Sequence, residues 1–285
     1  MNSKVTLTIC DNDSAAGPSL APLIQILWQQ CHASVFSLTF ENAEGRISSG
    51  TGFKVNDLLI TNNHVIQIPG ARRIVLRSVL QDSHTKNVEL SFAYGEFLSM
   101  LVDGDPETGW DYAVLKVPHP SFAAVPALRL DESEDLQVGT QIALFGFQFE
   151  QPNLSMHVGY VSSQFQRARV HYIQLDSSVN QGNSGGPLIN CSSGRVIGMV
   201  TRKVTGLTQQ FEELHKAIRQ NIDLLQASQR SGARGIIGGV DPVAATMAIE
   251  IQMERIAKEI ARSANVGIGY AYHIKKVRDS IANLS

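Results

Sequence analysis

Cysteine is scarce in this chain of 285 residues, which has three: Cys10, Cys31 and Cys191. Their number is odd and none lie at CxxC spacing, so the sequence favours neither a zinc site nor a disulfide framework. We interpret all three as buried or incidental thiols.

The chain also lacks an excess of either charge and any long apolar run. Its 24 Lys and Arg residues against 26 Asp and Glu residues give a net charge of -2, which is no electrostatic reason to expect nucleic acid or an anionic membrane as partner. No segment approaches the length of a membrane span, and Met1–Asp11 has too short an apolar run for a signal peptide. We therefore expect a cytoplasmic protein.

One glycine-rich stretch stands out, Gly182-Asn183-Ser184-Gly185-Gly186-Pro187. Glycines in a loop can serve the backbone alone, through positive φ or close approach. The alternative is that Ser184 is a nucleophile, with the backbone N–H groups of Gly182 and Ser184 directed at a developing oxyanion. A serine hydroxyl then needs a base, and the base needs an orienting acid.

Two residues upstream have suitable surroundings. His64 follows the apolar run that starts at Leu58, and Asp111 opens the run Asp111–Val117. In both, a polar residue stands where a buried strand meets a loop, and a rigid scaffold presents functional groups at such places. The order His, Asp, Ser is that of chymotrypsin-like peptidases.

Several motifs together resemble a trypsin-like serine peptidase of the Deg (HtrA) type. The similarity covers roughly residues 22–201 and resumes at 267–271. The motifs are Ser49-Gly50-Thr51-Gly52-Phe53, Thr61-Asn62-Asn63-His64-Val65, Asp111-Tyr112-Ala113-Val114-Leu115, Val158-Gly159-Tyr160-Val161-Ser162, Tyr172-Ile173-Gln174-Leu175-Asp176 and the Ser184 loop. The resemblance implies peptide-bond hydrolysis by His64, Asp111 and Ser184, an oxyanion hole at Gly182 and Ser184, and no cofactor or metal. It also implies a protein or peptide substrate, and we expect no PDZ module.

Two other functions fit parts of the sequence. Gly182-x-Ser184-x-Gly186 also matches the nucleophile elbow of α/β-hydrolases, with Asp241 and His273 as formal partners. That elbow requires a helix at the serine, whereas Pro187 and the strand-like run Val196–Val200 follow here. A catalytically silent homologue that serves as a protein-binding module stays open, although all three triad residues are present.

The resemblance also suggests which residues contact substrate. It implies that Ser178 lies near the base of the pocket for the residue before the scissile bond and Gln181 near its rim. Val200-Thr201-Arg202 is expected to line the substrate strand, and Gly267 the pocket wall. Because Ser178 is neutral, we expect cleavage after small or apolar residues. Arg234–Gly239 resembles a processing site, but Asn183 replaces the aspartate that such activation uses, so we interpret it as a flexible loop.

The strand and helix patterns predict a mainly β protein, a chymotrypsin-like double six-stranded β-barrel with an N-terminal helix, an inserted helical hairpin and a short C-terminal helix. We divide it into a tether and helix (1–33), a first barrel (34–130), a second barrel (131–207 and 265–285) and the hairpin (208–264). In the hairpin, Asp241 is a predicted N-cap, and Ile249, Met253, Ile256 and Ile260 are the predicted inner stripe of the second helix. We expect the hairpin to gate the active site or to bind a regulatory protein or a second copy of the chain.

Overall fold

The computed structural model describes residues 20–133, 135–203, 209–230, 236, 241–263 and 267–284. Helix α1 (Leu20–Cys31) comes first and packs through Leu27 and Cys31 into the main hydrophobic core. No helix within the described ranges is long and apolar enough to cross a membrane.

A seven-stranded sheet follows α1. Its strands are β1 (Val35–Asn42), β2 (Gly45–Val55), β3 (Leu58–Thr61), β4 (Arg73–Val79), β5 (Lys86–Ala93), β6 (Leu101–Asp105) and β7 (Tyr112–Lys116), with short helices α2 (Asn63–Ile66), α3 (Tyr94–Ser99) and α4 (Pro120–Ala123). The strand order is β5-β4-β1-β2-β3-β7-β6. Side chains alternate across β1, so Phe36, Leu38 and Phe40 enter a core while Ser37 and Thr39 lie on the opposite, polar face.

The second half of the molecule is a closed six-stranded barrel. Its strands are β8 (Gln141–Gly146), β9 (Ser155–Arg167), β10 (Val170–Leu175), β11 (Pro187–Asn190), β12 (Val196–Lys203) and β13 (Gly269–His273), in the order β10-β13-β12-β11-β8-β9. Helix α7 (Lys275–Asn283) ends the described chain. Two of the predicted candidate residues, Ser184 and Gly182, lie in the loop that enters β11.

The helical hairpin enters between two paired strands. Helices α5 (Gln209–Arg230) and α6 (Pro242–Ser263) lie between β12 and β13, whose partners Lys203 and Gly269 face each other. The Asp241 carboxylate accepts hydrogen bonds from the N–H groups of Val243 (2.9 Å) and Ala244 (3.2 Å), which confirms the predicted N-cap.

Two details differ from the sequence predictions. The first sheet has seven strands rather than six, because β6, which ends in Asp-Gly-Asp, gives no strand signal. The predicted inner stripe of α6 is wrong: Ile249, Met253, Ile256 and Ile260 are between 44% and 59% exposed. Ala257, at the edge of that stripe, is buried, and Glu254, one turn before it, pairs with Arg219 of α5 at 3.3 Å. Helical periodicity shows that an apolar stripe exists, but it does not show which face meets a neighbour.

Candidate active site

His64 and Asp111 form a direct pair at the end of the first sheet. His64 lies in α2, the single turn after β3, and Asp111 immediately precedes β7, the strand that pairs with β3. The Nδ1 atom of His64 is 2.6 Å from Oδ2 of Asp111, and the His64 backbone N–H donates to Oδ1 at 2.9 Å. Because a carboxylate only accepts, Nδ1 carries a proton, and in the neutral imidazole Nε2 keeps a lone pair. The imidazole is therefore oriented as a base.

The backbone around Asp111 fixes this carboxylate. Asp111 is fully buried and has a left-handed φ of 48°, uncommon for a residue other than glycine. Its carbonyl accepts from Nδ2 of Asn62 at 2.8 Å, and its N–H donates to the Pro106 carbonyl at 3.2 Å. Asn62 thus links the segment that carries Asp111 to the segment that carries His64. The sequence, in which Asn62 stands beside Asn63, does not indicate this role.

Two glycines of the Ser184 loop combine a left-handed φ with a close approach to other backbone. Gly182 has φ +97°, and a Cβ there would lie 2.1 Å from the Phe147 carbonyl oxygen. Gly185 has φ +84°, and its Cβ would meet the Thr51 carbonyl and the Thr61 hydroxyl, each at 2.2 Å. A side chain at Gly182 would force the loop away from Phe147, and one at Gly185 would force it away from the first sheet. The close approach brings Ser184 against the segment that leads to His64.

The loop presents two backbone N–H groups. The Gln181 carbonyl accepts from the Phe149 N–H at 2.7 Å, and because the peptide is trans the Gly182 N–H points the opposite way. Among the described residues, the N–H groups of Gly182 and Ser184 meet no acceptor. Such a pair can stabilise a negative oxygen next to the serine.

The Ser184 hydroxyl is turned towards the second barrel. Its Oγ donates to the carbonyl oxygen of Thr201 in β12 at 2.6 Å. A hydroxyl has one proton, so in this conformation Ser184 does not donate to His64. The structure thus brings the predicted acid and base into contact and leaves the predicted nucleophile bonded to a neighbouring strand.

Thr51 is a residue of the site that the sequence interpretation assigned no role. It is fully buried in β2, and its Oγ1 donates to the Gly182 carbonyl at 2.6 Å and accepts from the Phe147 N–H at 3.0 Å. Its own N–H donates to the Ser184 carbonyl at 2.9 Å. Thr51 therefore holds the Ser184 loop of the second barrel to the first sheet. The sequence feature that could have indicated this role is its position between Gly50 and Gly52 in the motif Ser49–Phe53.

The predicted substrate-contact residues surround the same loop. Ser178 is half-buried, Gln181 is exposed, and Val200 and Thr201 are buried in β12. Gly267 has φ +73° and lies two residues before Gly269. A Cβ at Gly269 would lie 2.4 Å from the Val179 side chain. The side chain of Arg202 lies outside the described residues. On the other side of the site, a depression of about 400 Å³ opens beside His64, between Gln67 and Pro106.

The sequence matches a known family over more than half of its length. Residues 49–199 match the trypsin-like peptidase domain. The chain is 32% identical over 184 residues to serine protease HTRA1B of Danio rerio, covering 61% of this chain and 34% of that protein. It is 35% identical over 163 residues to a probable periplasmic serine endoprotease DegP-like of Halomonas elongata, covering 55% and 30%. The chain thus spans about a third of the length of these relatives.

A solved structure shares the fold. The HtrA-type protease AlgWS227A with tripeptide superposes with a TM-score of 0.57 at 21% identity, covering 94% of this chain and 64% of that one. This similarity confirms the predicted chymotrypsin-like fold. Together with the domain match, it completes the assignment: the chain belongs to the trypsin-like peptidase family and is similar to its HtrA-type members.

Proposed function

We propose that this protein is a serine endopeptidase that works through an acyl-enzyme, with His64, Asp111 and Ser184 as its catalytic residues. The observation that carries the proposal is the 2.6 Å contact between His64 Nδ1 and Asp111 Oδ2, which leaves Nε2 to act as the base. The backbone at Gly185, next to Ser184, closely approaches Thr61 and Asn62, which lead to His64. HtrA-type relatives named as serine proteases support it.

The first step is a rotation of the Ser184 side chain. Its hydroxyl leaves the Thr201 carbonyl, reaches Nε2 of His64, and gives up its proton as Oγ attacks the peptide carbonyl. Asp111 stabilises the imidazolium that results, and the imidazolium then protonates the leaving amine. The N–H groups of Gly182 and Ser184 would stabilise the tetrahedral oxyanion, by about 3 to 4 kcal/mol per donor in a measured enzyme.

Substrate is proposed to favour that rotation. If residues Val200–Arg202 line the substrate strand, a peptide N–H that pairs with the Thr201 carbonyl competes with Ser184 for the same acceptor. Binding would then release the hydroxyl towards His64. A ligand can shift such a two-state equilibrium only through its different affinity for the two states, and this shared acceptor supplies that difference.

Two finer features belong to the same proposal. Cleavage after small or apolar residues follows from the neutral Ser178 at the predicted pocket base, and a peptide-library profile dominated by Lys and Arg would contradict it. Control of the active site by residues 208–264 follows from where the hairpin begins and ends, next to Val200–Arg202 and Gly267.

The deciding experiment pairs labelling with hydrolysis. We expect a serine-reactive fluorophosphonate to label the wild type but not Ser184→Ala or His64→Ala, and we expect either substitution to lower peptide turnover by a factor on the order of 10⁶. Asn153→Ala, an exposed residue outside the site, is the matched control and should label normally. Hydrolysis that persists in purified Ser184→Ala protein would disprove the assignment.

A silent homologue that acts as a binding module is the second candidate. The Ser184–Thr201 hydrogen bond favours it, because a nucleophile held permanently there is never activated. It predicts no labelling of the wild type, together with peptide binding that Ser184→Ala leaves unchanged.

A further inference from the structure

A polar cavity of about 270 Å³ lies on the outer face of the first sheet. Its floor consists of side chains in register on three adjacent strands: Ser37 of β1 faces Arg77 of β4, and Thr39 of β1 lies between Val75 of β4 and Ser49 of β2. The loop from Phe147 to Pro152, which belongs to the second barrel, forms another wall.

This cavity adjoins the Ser184 loop. Ser37 in the floor is directly opposite Thr51, whose hydroxyl binds the Gly182 carbonyl at 2.6 Å. Phe147 in the wall donates its N–H to the same hydroxyl at 3.0 Å. One threonine therefore separates the cavity from the backbone of the nucleophile loop.

Cations outnumber anions among the described side chains that line it. Arg46, Arg73 and Arg77 contribute three guanidinium groups, and Glu41 and Glu89 contribute two carboxylates. Arg73 approaches Glu41 at 3.7 Å, a loose contact between partly exposed groups. Such exposed pairs contribute little, so Glu41 leaves the Arg73 guanidinium able to bind another carboxylate.

Two buried donors in the lining lack an acceptor. Ser49 Oγ and Arg77 Nε are both buried without a hydrogen-bond partner among the described residues. Arg77 directs Nη2 to the His84 carbonyl at 2.6 Å, which leaves Nε available for another acceptor. A buried guanidinium N–H without an acceptor is costly, and a carboxylate is the group that satisfies it best.

We propose that this cavity binds a carboxylate of the substrate on the leaving-group side of the scissile bond, and this rests on the proposed peptidase function. The Ser184 loop touches two surfaces: Oγ contacts Thr201 of β12, where the acyl side is predicted, and the Gly182 carbonyl contacts Thr51 of the first sheet. The proposed path takes a peptide from β12 across Ser184 and onwards to the cavity. The protein prefers Asp or Glu within the first few residues after the cleaved bond.

The test compares peptides that differ only after the scissile bond. Quenched fluorescent peptides with one common acyl side carry Asp, Glu, Asn, Gln or Lys at each of the three following positions, with amidated ends. A further peptide ends in a free carboxylate, which distinguishes a side-chain acid from a chain terminus. We expect kcat/KM for the best acidic peptide to exceed that of its amide counterpart about tenfold at low salt, and the ratio to fall as salt rises.

Substitutions locate the preference. Arg73→Gln should lower the acid-to-amide ratio several-fold, and Arg73→Gln with Arg77→Gln should bring it close to one. Arg72→Gln is the matched control, since Arg72 is an exposed neighbour outside the cavity and removes the same charge. Arg73 is exposed at the rim, so Arg73→Gln carries the test if the double variant unfolds. Equal ratios for acidic and amide peptides, or a preference that survives these changes, would overturn the proposal.

A binding experiment distinguishes failure of the proposed carboxylate site from failure of the proposed peptidase function. Fluorescence anisotropy measures binding of the same peptides to Ser184→Ala, with and without Arg73→Gln. Absence of labelling and turnover would remove the peptidase function, while tighter binding of acidic peptides that depends on Arg73 would still support the cavity. Equal or undetectable binding of acidic and amide peptides there would overturn it.

Discussion

The hydroxyl of Thr51 connects the first sheet to the Ser184 loop through a hydrogen bond. It bonds both to the Gly182 carbonyl and to the Phe147 N–H, and all three groups belong to buried residues. Because it touches no reacting atom, Thr51 is a positioning residue. Its effect on catalysis would pass through the orientation of the Gly182 and Ser184 N–H groups.

Replacing this hydroxyl should change turnover more than substrate binding. We predict that Thr51→Val, which keeps the shape of the side chain, lowers kcat about 10- to 100-fold with KM changed less than about twofold, because misoriented donors lose stabilisation found only in the transition state. It should also lower the free energy of unfolding by about 1–3 kcal/mol, since a buried carbonyl loses its partner. Steady-state kinetics and urea unfolding measure the two effects.

Thr51→Ser is the matched control, because it restores the hydroxyl and should recover most of kcat. A role confined to stability would lower Tm in Thr51→Val and leave kcat unchanged. Full turnover in Thr51→Val would contradict the positioning role.

At the scale of elements, α1 is tied to the second barrel by its last residue. Cys31 and Cys191, which follows β11, are both buried in one hydrophobic cluster. Burial raises the pKa of the Cys31 thiol to about 12, with the Cys191 thiol adding to the effect, and burial raises the pKa of Cys191 to about 11. Both thiols are therefore protonated and unreactive at neutral pH.

This predicts a specific loss of stability in base. Well below pH about 9 both thiols are protonated in the folded and in the unfolded chain, so their burial does not make the free energy of unfolding depend on pH. As the pH rises from about 9 to about 12, the unfolded chain ionises while the folded chain resists, so the free energy of unfolding falls. In a Cys10→Ser background, which leaves only these two thiols, iodoacetamide at pH about 8 should react far more slowly with native than with urea-unfolded protein.

The pH dependence has its own control. The Cys31→Ala, Cys191→Ala double variant should lose less free energy of unfolding between pH about 8 and about 10 than its parent, whatever its stability at neutral pH. Parallel curves for the two proteins would show that other groups cause the loss.

At the scale of the whole molecule, the helical hairpin carries an apolar face that is exposed. Its helices pack principally on each other, and Ile249, Met253, Ile256 and Ile260 form an exposed stripe on α6. Their spacing of 4, 3 and 4 residues is typical of a seam between packed helices. The hairpin joins strands that already pair at Lys203 and Gly269, so the barrel does not need it for closure.

Replacing residues 208–264 by a short Gly-Ser turn should therefore leave the barrels folded and change both assembly and activity. We predict a lower oligomeric mass by light scattering and a peptide turnover altered at least about threefold, because the loop ends adjoin Val200–Arg202 and Gly267. Ile249→Gln with Ile256→Gln keeps the helices and removes the stripe, so it separates assembly from gating. Unchanged turnover and mass in the deletion variant would make the hairpin a passive cap.

The local patterns predicted most of the fold and of the candidate site. The helix at the N-terminus, the hairpin cap at Asp241 and the strands of the second barrel follow from periodicity and turn residues, which act over a few positions. The predicted base and acid do meet, at 2.6 Å. The cytoplasmic location, the domain boundaries and the catalytic roles stay predictions.

The sequence by itself determined where glycines, alternating strands and the His, Asp and Ser motifs occur, because these depend on backbone sterics and side-chain period within short segments. Only the tertiary structure decided which distant groups meet. It buries Lys54, whose ammonium group donates to the carbonyls of Phe122, Ala123 and Val125 at 2.7–2.8 Å. It turns the Ser184 hydroxyl to the Thr201 carbonyl. It also brings Arg46, Arg73 and Arg77 together around one cavity. Such contacts join residues far apart in the chain, and a local pattern carries no information about which partner a side chain will find.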